Sequence, residues 1–120
     1  MRKYDSYKDS GIVWLGEIPS YWEVSRLKNL GKAIIGITYS PDDIVDESDG
    51  ILVLRSSNIQ NDKVCFKDNV YVNKIPKKSL ITKKGDILIC SRNGSRALIG
   101  KNIRIDDETK DLTFGAFMTI

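Results

Sequence analysis

The sequence predicts an α+β, β-rich fold, with short antiparallel strands in a twisted, partly barrel-like sheet and a few short helices. Three observations carry this. Apolar, branched runs recur along the chain, among them "ILVLRSSNI" (51–59) and "DILICSR" (86–92). Turn residues interrupt these runs at intervals of roughly 8–12 residues, the spacing of an all-strand core. Little of the chain shows the 3.6-residue apolar period of a helix.

Taken in order, residues 1–11, "MRKYDSYKDSG", read as a polar, flexible lead-in. "IVWLGEIPSYWEV" follows, where Gly16 and Pro19 prevent a regular element. Ile12, Trp14, Leu15, Ile18 and Trp22 are expected to pack as an irregular arm. "WEVSRLKNL" suits a short strand or a helical turn, and Gly36 breaks the short run "AIIGIT". "SPDDIVDESDG" is expected to be a loop, with Asp49-Gly50 as its turn signal. "ILVLRSSNI" is the clearest strand. "NDKVCF" and "NVYVN" read as two short strands joined by a turn. One helical turn is expected after Pro76, then a turn at Gly85-Asp86. "DILICSR" and "KNIRI" are strands around "NGSRALIG", and "LTFGAFMTI" is strand-like.

A length of 120 residues fits one domain, 1–120. About two-thirds of the unfolded surface can be buried at this size, so a core needs no staples. The run "LTFGAFMTI" stays apolar to Ile120, and the domain is therefore expected to be an incomplete part of a longer protein. No run approaches the ~18 apolar residues of a membrane span. The first residues lack the apolar region of a signal peptide, which makes a cytoplasmic protein the expectation.

The chain has two cysteines, Cys65 and Cys90, and no histidine. Both cysteines sit in apolar runs and read as buried small hydrophobes. A structural zinc takes about four Cys or His ligands, so this composition argues against one. Without histidine, the Ser-His and Cys-His nucleophile pairs are excluded. The acids Asp42, Asp43, Asp46, Glu47 and Asp49 lie in a proline-headed polar segment without calcium-loop spacing, and read as solvated. No cofactor is expected.

Net charge is only +3, but the charge is sorted. Residues 74–104 hold nine bases against one acid, a local charge of +8, while the rest sums to −5. A basic block of this kind suits a polyanion. Within it, "GSRALIGKN" (94–102) resembles a phosphate loop but fails the test. Five residues separate Gly94 from Gly100-Lys101 where a Walker A loop has four, and Asn102 replaces the magnesium-binding hydroxyl. The remaining reading is a hairpin. Asn93-Gly94 suits a type I′ turn, whose two central residues need positive φ. Arg92 and Arg96 flank that tip. Guanidinium forks suit phosphate and guanine, and Ser91 and Ser95 add short donors.

"LRSSNI" is the second candidate. With Leu52 and Leu54 in the core, Arg55 would face outward, and Asn58 would lie at the strand's end. Arg and Asn read guanine and adenine edges in pairs of bonds. Turn chemistry, in which Ser and Asn bond their own backbone, is the alternative for this stretch.

These residues resemble a family. "KDSGIVWLGEIPSYWEVSRLKNL" (8–30) is similar to the opening of specificity subunits of type I restriction-modification systems. "LRSSNI" (54–59) looks like that family's L-R-x-x-[ND]-I strand. "KKGDILICSRNGSRALIGK" (83–101) looks like its later G-D-[IL]-L strand with a basic turn. The resemblance implies an N-terminal target-recognition domain that binds one half of a split duplex DNA site and performs no catalysis itself. Its implied partners are double-stranded DNA, methyltransferase (modification) subunits and, through them, a restriction subunit. DNA contact is assigned to Arg92, Arg96 and Lys101, with Asn93 and Ser95 on the same turn. Arg55 and Asn58 are second choices. Lys77, Lys78, Lys83 and Lys84 are expected to steer phosphates. The alternative is a protein-interaction fragment that binds or competes for the modification subunits without touching DNA.

Overall fold

A computed structural model describes residues 3–120. The chain divides into two compact units, the first running to Lys32 and the second spanning Ala33–Ile120.

The first unit is built on a hairpin of β1 (Tyr7–Asp9) and β2 (Glu17–Pro19). Gly11 and Gly16 both take positive φ in its connection, and Ser10 N–H closes it on the Gly16 carbonyl at 2.9 Å. Tyr4 sits in an aromatic cluster, its ring edge-on to Tyr7, Tyr21 and Trp22 at centroid distances of 6.2, 5.8 and 5.5 Å. Within the stretch read as a lead-in, Tyr7–Asp9 pair as a strand. Residues 1–2 lie outside the described residues. Of the expected apolar arm, Ile18 is buried, while Trp14 is 83% exposed and Trp22 47%. A 3-10 turn, Leu27–Asn29, ends the unit.

The second unit holds β3 (Ile44–Val45), β4 (Ile51–Leu54), β5 (Ile59–Gln60), β6 (Lys63–Val64), β7 (Val70–Val72), β8 (Ile87–Cys90), β9 (Asn102–Arg104), β10 (Thr113–Phe114) and β11 (Met118–Thr119). One sheet runs β10-β4-β7-β3, a second β11-β8-β9, and β5-β6 form a separate hairpin. The unit is strand-rich with short 3-10 turns, as expected. The sheets are small and none closes on itself among the described residues. One pair departs from the antiparallel expectation: β10 lies parallel to β4, Phe114 against Leu54. The 58-residue run from 55 to 112 supplies the crossover that a parallel pair requires.

β4 explains why "ILVL" is uniformly apolar. Leu52 and Leu54 join a core cluster with Ile59, Leu88, Cys90, Ile103, Ile105, Phe114 and Met118. Val53 points the other way, into a smaller cluster with Ile37 and Val72. A strand covered on both faces has no polar positions. Each such side chain stabilises by about 1.5–3 kcal/mol when fully buried. By contrast β8 alternates, with Leu88 and Cys90 at 0% exposure between half-exposed Ile87 and Ile89.

Two further expectations are corrected. β6 and β7 do not pair with each other: β6 pairs β5, and β7 lies between β4 and β3. "SPDDIVDESDG" is not plain loop, since β3 sits between 3-10 turns at Pro41–Asp43 and Glu47–Asp49.

Candidate nucleic-acid interface

The arginine-bearing segment is the connection from β8 to β9, strands that pair antiparallel with Ile89 opposite Asn102. The hairpin is real, but its turn is not a two-residue one. Neither Asn93 nor Gly94 takes positive φ, so the type I′ expectation fails at this site. The ladder continues to Cys90, whose N–H donates to Lys101 O and whose carbonyl accepts from Gly100 N–H, both at 2.8 Å. Gly100 supplies the left-handed residue, φ +96°. Between these anchors Asn93 Oδ1 accepts from Ser95 N–H at 2.9 Å, and Arg96–Leu98 form a 3-10 turn. The root is tied to the next strand. Ser91 N–H and Arg92 N–H both donate to Phe117 O at 3.0 Å, and Thr119 Oγ1 bonds Ser91 Oγ at 2.9 Å.

This folding leaves Arg92, Ser95 and Arg96 exposed. Neither guanidinium has an acidic partner among the described residues. Lys101 differs: it is half-buried, and its Nζ donates to the Ser56 carbonyl at 3.0 Å. Asn93 Nδ2 reaches the same residue, bonding Ser56 Oγ at 3.3 Å. The two stretches that the sequence singles out, "LRSSNI" and "SRNGSRALIGK", are therefore in contact.

The first of these is not a continuous strand. β4 ends at Leu54, and Ser56–Asn58 form a 3-10 turn. Asn58, a second choice for DNA contact in the sequence, is fully buried. Its Oδ1 accepts from Arg55 N–H at 2.9 Å, and its Nδ2 donates to Cys65 O at 2.9 Å and to Asn69 Oδ1 at 3.2 Å. Arg55 does turn outward at the strand's end, but it is engaged. Its Nη2 donates to Asp68 O at 2.7 Å and lies 3.4 Å from Asp68 Oδ2. Its Nε is enclosed without a partner among the described residues. A half-open groove of about 670 Å³ lies beside it, lined by Arg55, Ser57, Tyr39 and Phe117 over an apolar floor of Ile37 and Met118.

Lys83 and Lys84 occupy the other end of β8. Five strand steps from Asp86 to Ser91 span about 16 Å along the strand. Lys84 also pairs with Asp107 at 3.3 Å, both well exposed, where such a pair contributes little. Lys77 and Lys78 begin the 3-10 turn Lys78–Leu80 and are exposed, as is Lys83. Among the described residues no three Cys, Asp or Glu side chains gather as metal ligands.

No known protein-family model matches the chain, and no solved structure does. Two curated proteins are similar to it. The EcoKI type I restriction enzyme specificity subunit of Escherichia coli strain K12 is 30% identical over 105 residues. The StySPI type I restriction enzyme specificity subunit of Salmonella potsdam is 31% identical over 107. Over most of its length the chain is similar to type I restriction enzyme specificity subunits. Each alignment covers 85% of this chain, and the chain spans about 22% of the length of either relative. The resemblance expected from the sequence motifs is thus shown. No helix among the described residues is long and apolar enough to cross a membrane.

Ser56, Asp68 and Phe117 hold the candidate site together, and none was singled out for that role in the sequence. A serine carbonyl that receives a lysine 45 positions later leaves no local mark.

Proposed function

We propose that this chain recognises double-stranded DNA, reading one half of a bipartite site for a type I restriction-modification complex in the cytoplasm. It performs no catalysis. Methylation and cleavage belong to methyltransferase and restriction subunits that assemble with the larger protein. The observation that carries this reading is the pair Arg92 and Arg96, exposed and without acidic partners among the described residues, on a loop anchored at both ends. A guanidinium free of an internal acid can give both edges of its fork to a phosphate or a guanine. Ser95 adds a short donor beside them. Lys83 and Lys84 extend the positive field towards the far end of β8, and Lys77 and Lys78 add further exposed positive charge. The relatives' names support the same reading.

The test is salt dependence, measured by fluorescence anisotropy on a mixed-sequence duplex. About four phosphate contacts give a slope of about −3.6 in log K against log salt, a fall of roughly 100- to 200-fold between 50 and 200 mM. A slope near zero overturns the reading.

One observation favours the protein-interaction alternative. Ile89 lies between Thr119 and Asn102 on the open side of its sheet, Ile35 bridges Thr119, and Ile35, Ile87 and Ile89 are all exposed. On that alternative the chain binds modification subunits with little salt dependence and shifts no DNA.

A further inference from the structure

We infer that Lys101 and Ser56 are positioning residues that hold the arginine loop for sequence reading, and that Lys101 is not a phosphate contact. This rests on the DNA-recognition reading and reassigns one of its residues. Three observations carry it.

The first is geometric convergence. Two side chains from the 91–101 connection end on one residue of a different turn. Asn93 Nδ2 meets Ser56 Oγ, and Lys101 Nζ meets Ser56 O. Asn93 also caps the loop from inside, through Ser95 N–H. One amide side chain thus couples the Ser56 turn to the residues just before Arg96.

The second is the rigidity of the platform. A loop gains definition from an anchor only if the anchor is itself fixed. Ser56 opens a 3-10 turn closed by Asn58 N–H on Arg55 O at 2.9 Å. The fully buried Asn58 amide ties that turn to the backbone at Cys65 and to Asn69. A buried amide with its donors and acceptor satisfied resists local opening, since every escape leaves polar groups unpaired.

The third is the contrast among the loop's cations. Arg92 and Arg96 are exposed, while Lys101 is half-buried with its ammonium on a carbonyl. That bond leaves the charge intact but commits one of the ammonium's three donors to the Ser56 turn. It does fix where β9 begins, and so where the loop before it can lie.

The experiment compares wild type, Lys101→Met and Ser56→Ala on two DNA probes. The first probe is the mixed-sequence duplex, read as a salt slope. A phosphate contact at Lys101 makes the Lys101→Met slope shallower by about 0.9. Positioning leaves both variants at the wild-type slope. The second probe is a pool of random-sequence duplexes, read as the enrichment of bound sequences over input. The expected result is a roughly tenfold loss of enrichment in both variants, although Ser56→Ala removes no charge. Native-state hydrogen exchange provides a readout without DNA. Amides of Ser95, Leu98 and Ile99 exchange at least several-fold faster in both variants, while those of Leu88 and Ile103 keep their protection.

A shallower slope with enrichment intact makes Lys101 a phosphate contact and overturns the inference alone. Unchanged exchange and enrichment in both variants also overturn it. Failure of the wild type to bind either probe overturns the DNA reading and the inference with it. That failure is recognised from the wild-type curve alone.

Discussion

Asn58 holds Arg55 from below: its side-chain oxygen accepts from Arg55 N–H at 2.9 Å, while its NH2 group is bonded to the chain around Cys65 and Asn69. The guanidinium of Arg55 meanwhile reaches the Asp68 carbonyl at 2.7 Å. One buried amide therefore orders the end of β4 and the segment before β7 together. Asn58→Ala removes all of these bonds inside the core. Each buried group left unpaired costs about 1–3 kcal/mol, so a loss of roughly 3 kcal/mol is expected. Urea unfolding followed by tryptophan fluorescence or circular dichroism measures it. A loss below about 1 kcal/mol removes Asn58 from this role. Asn58→Asp fares no better, because a carboxylate cannot donate to Cys65 O.

Gly36 supports a second stability prediction. It lies between Ile35, which bridges Thr119, and Ile37, which bridges Gly115. A β-carbon built there overlaps the carbonyls of Phe114 and Gly115. Both are backbone atoms and cannot rotate away. Gly36→Ala forces the strand-like segment off the sheet, with an expected cost at the upper end of the overpacking range, about 3 kcal/mol. Gly94→Ala serves as the control, since nothing lies within 4 Å of a β-carbon at that site. Thermal unfolding of the two variants side by side separates them. Equal midpoints contradict the packing argument.

The contrast between Gly36 and Asn93-Gly94 shows what the sequence could reveal. Strands dominated by burial were legible: "ILVL" and "DILIC" form β4 and β8, because an apolar run flanked by turn residues is a local signal. The turn assignment was not. Asn93-Gly94 carries the stronger hairpin dipeptide, yet the two-residue turn with positive φ at both centres is Asn61-Asp62, φ 52° and 62°, between Gln60 and Lys63. The competing force at Asn93 is its bond to Ser56 Oγ, a contact across 37 positions. The same reason hid the pairing of β7 with β4 and the burial of Asn58. The exposure of Arg92 and Arg96 was legible, because exposure in a basic segment needs no distant partner.

Acid sensitivity follows from two carboxylates. Asp106 is held below its usual range, first by the hydroxyl of Thr109, which donates to Oδ1 at 2.9 Å, and then by the backbone of Glu108 and Thr109. Asp43 is lowered by the backbone N–H of Ser40 and by Lys74. A carboxylate whose pKa is lower folded than unfolded stabilises the fold above its unfolded value of 3.8. That contribution is lost as pH falls through the lowered folded value. Stability should therefore be flat above about pH 5 and decline below about pH 4. Asp106→Asn is expected to flatten part of that decline. Denaturant midpoints from pH 7 to pH 2.5 measure the effect. An unchanged acid limb in Asp106→Asn shows that other groups govern it.

The DNA reading makes its sharpest prediction at Arg92 and Arg96. Both side chains are exposed and make no ion pair among the described residues, so Arg92→Ala with Arg96→Ala should leave the fold intact. Two lost phosphate contacts make the salt slope shallower by about 1.8. Extrapolated from 1 M salt, where the electrostatic term vanishes, that difference is roughly a 60-fold weaker affinity at 0.1 M. Anisotropy titrations at four salt concentrations measure both quantities, and circular dichroism checks the fold. Lys83→Ala with Lys84→Ala provides the comparison, because those lysines precede the other end of β8. If they steer phosphates only weakly, the slope changes by less than 0.9 in total. Should the lysine pair cost more than the arginine pair, the DNA-facing surface lies at the other end of β8, and the 91–101 connection is a structural turn.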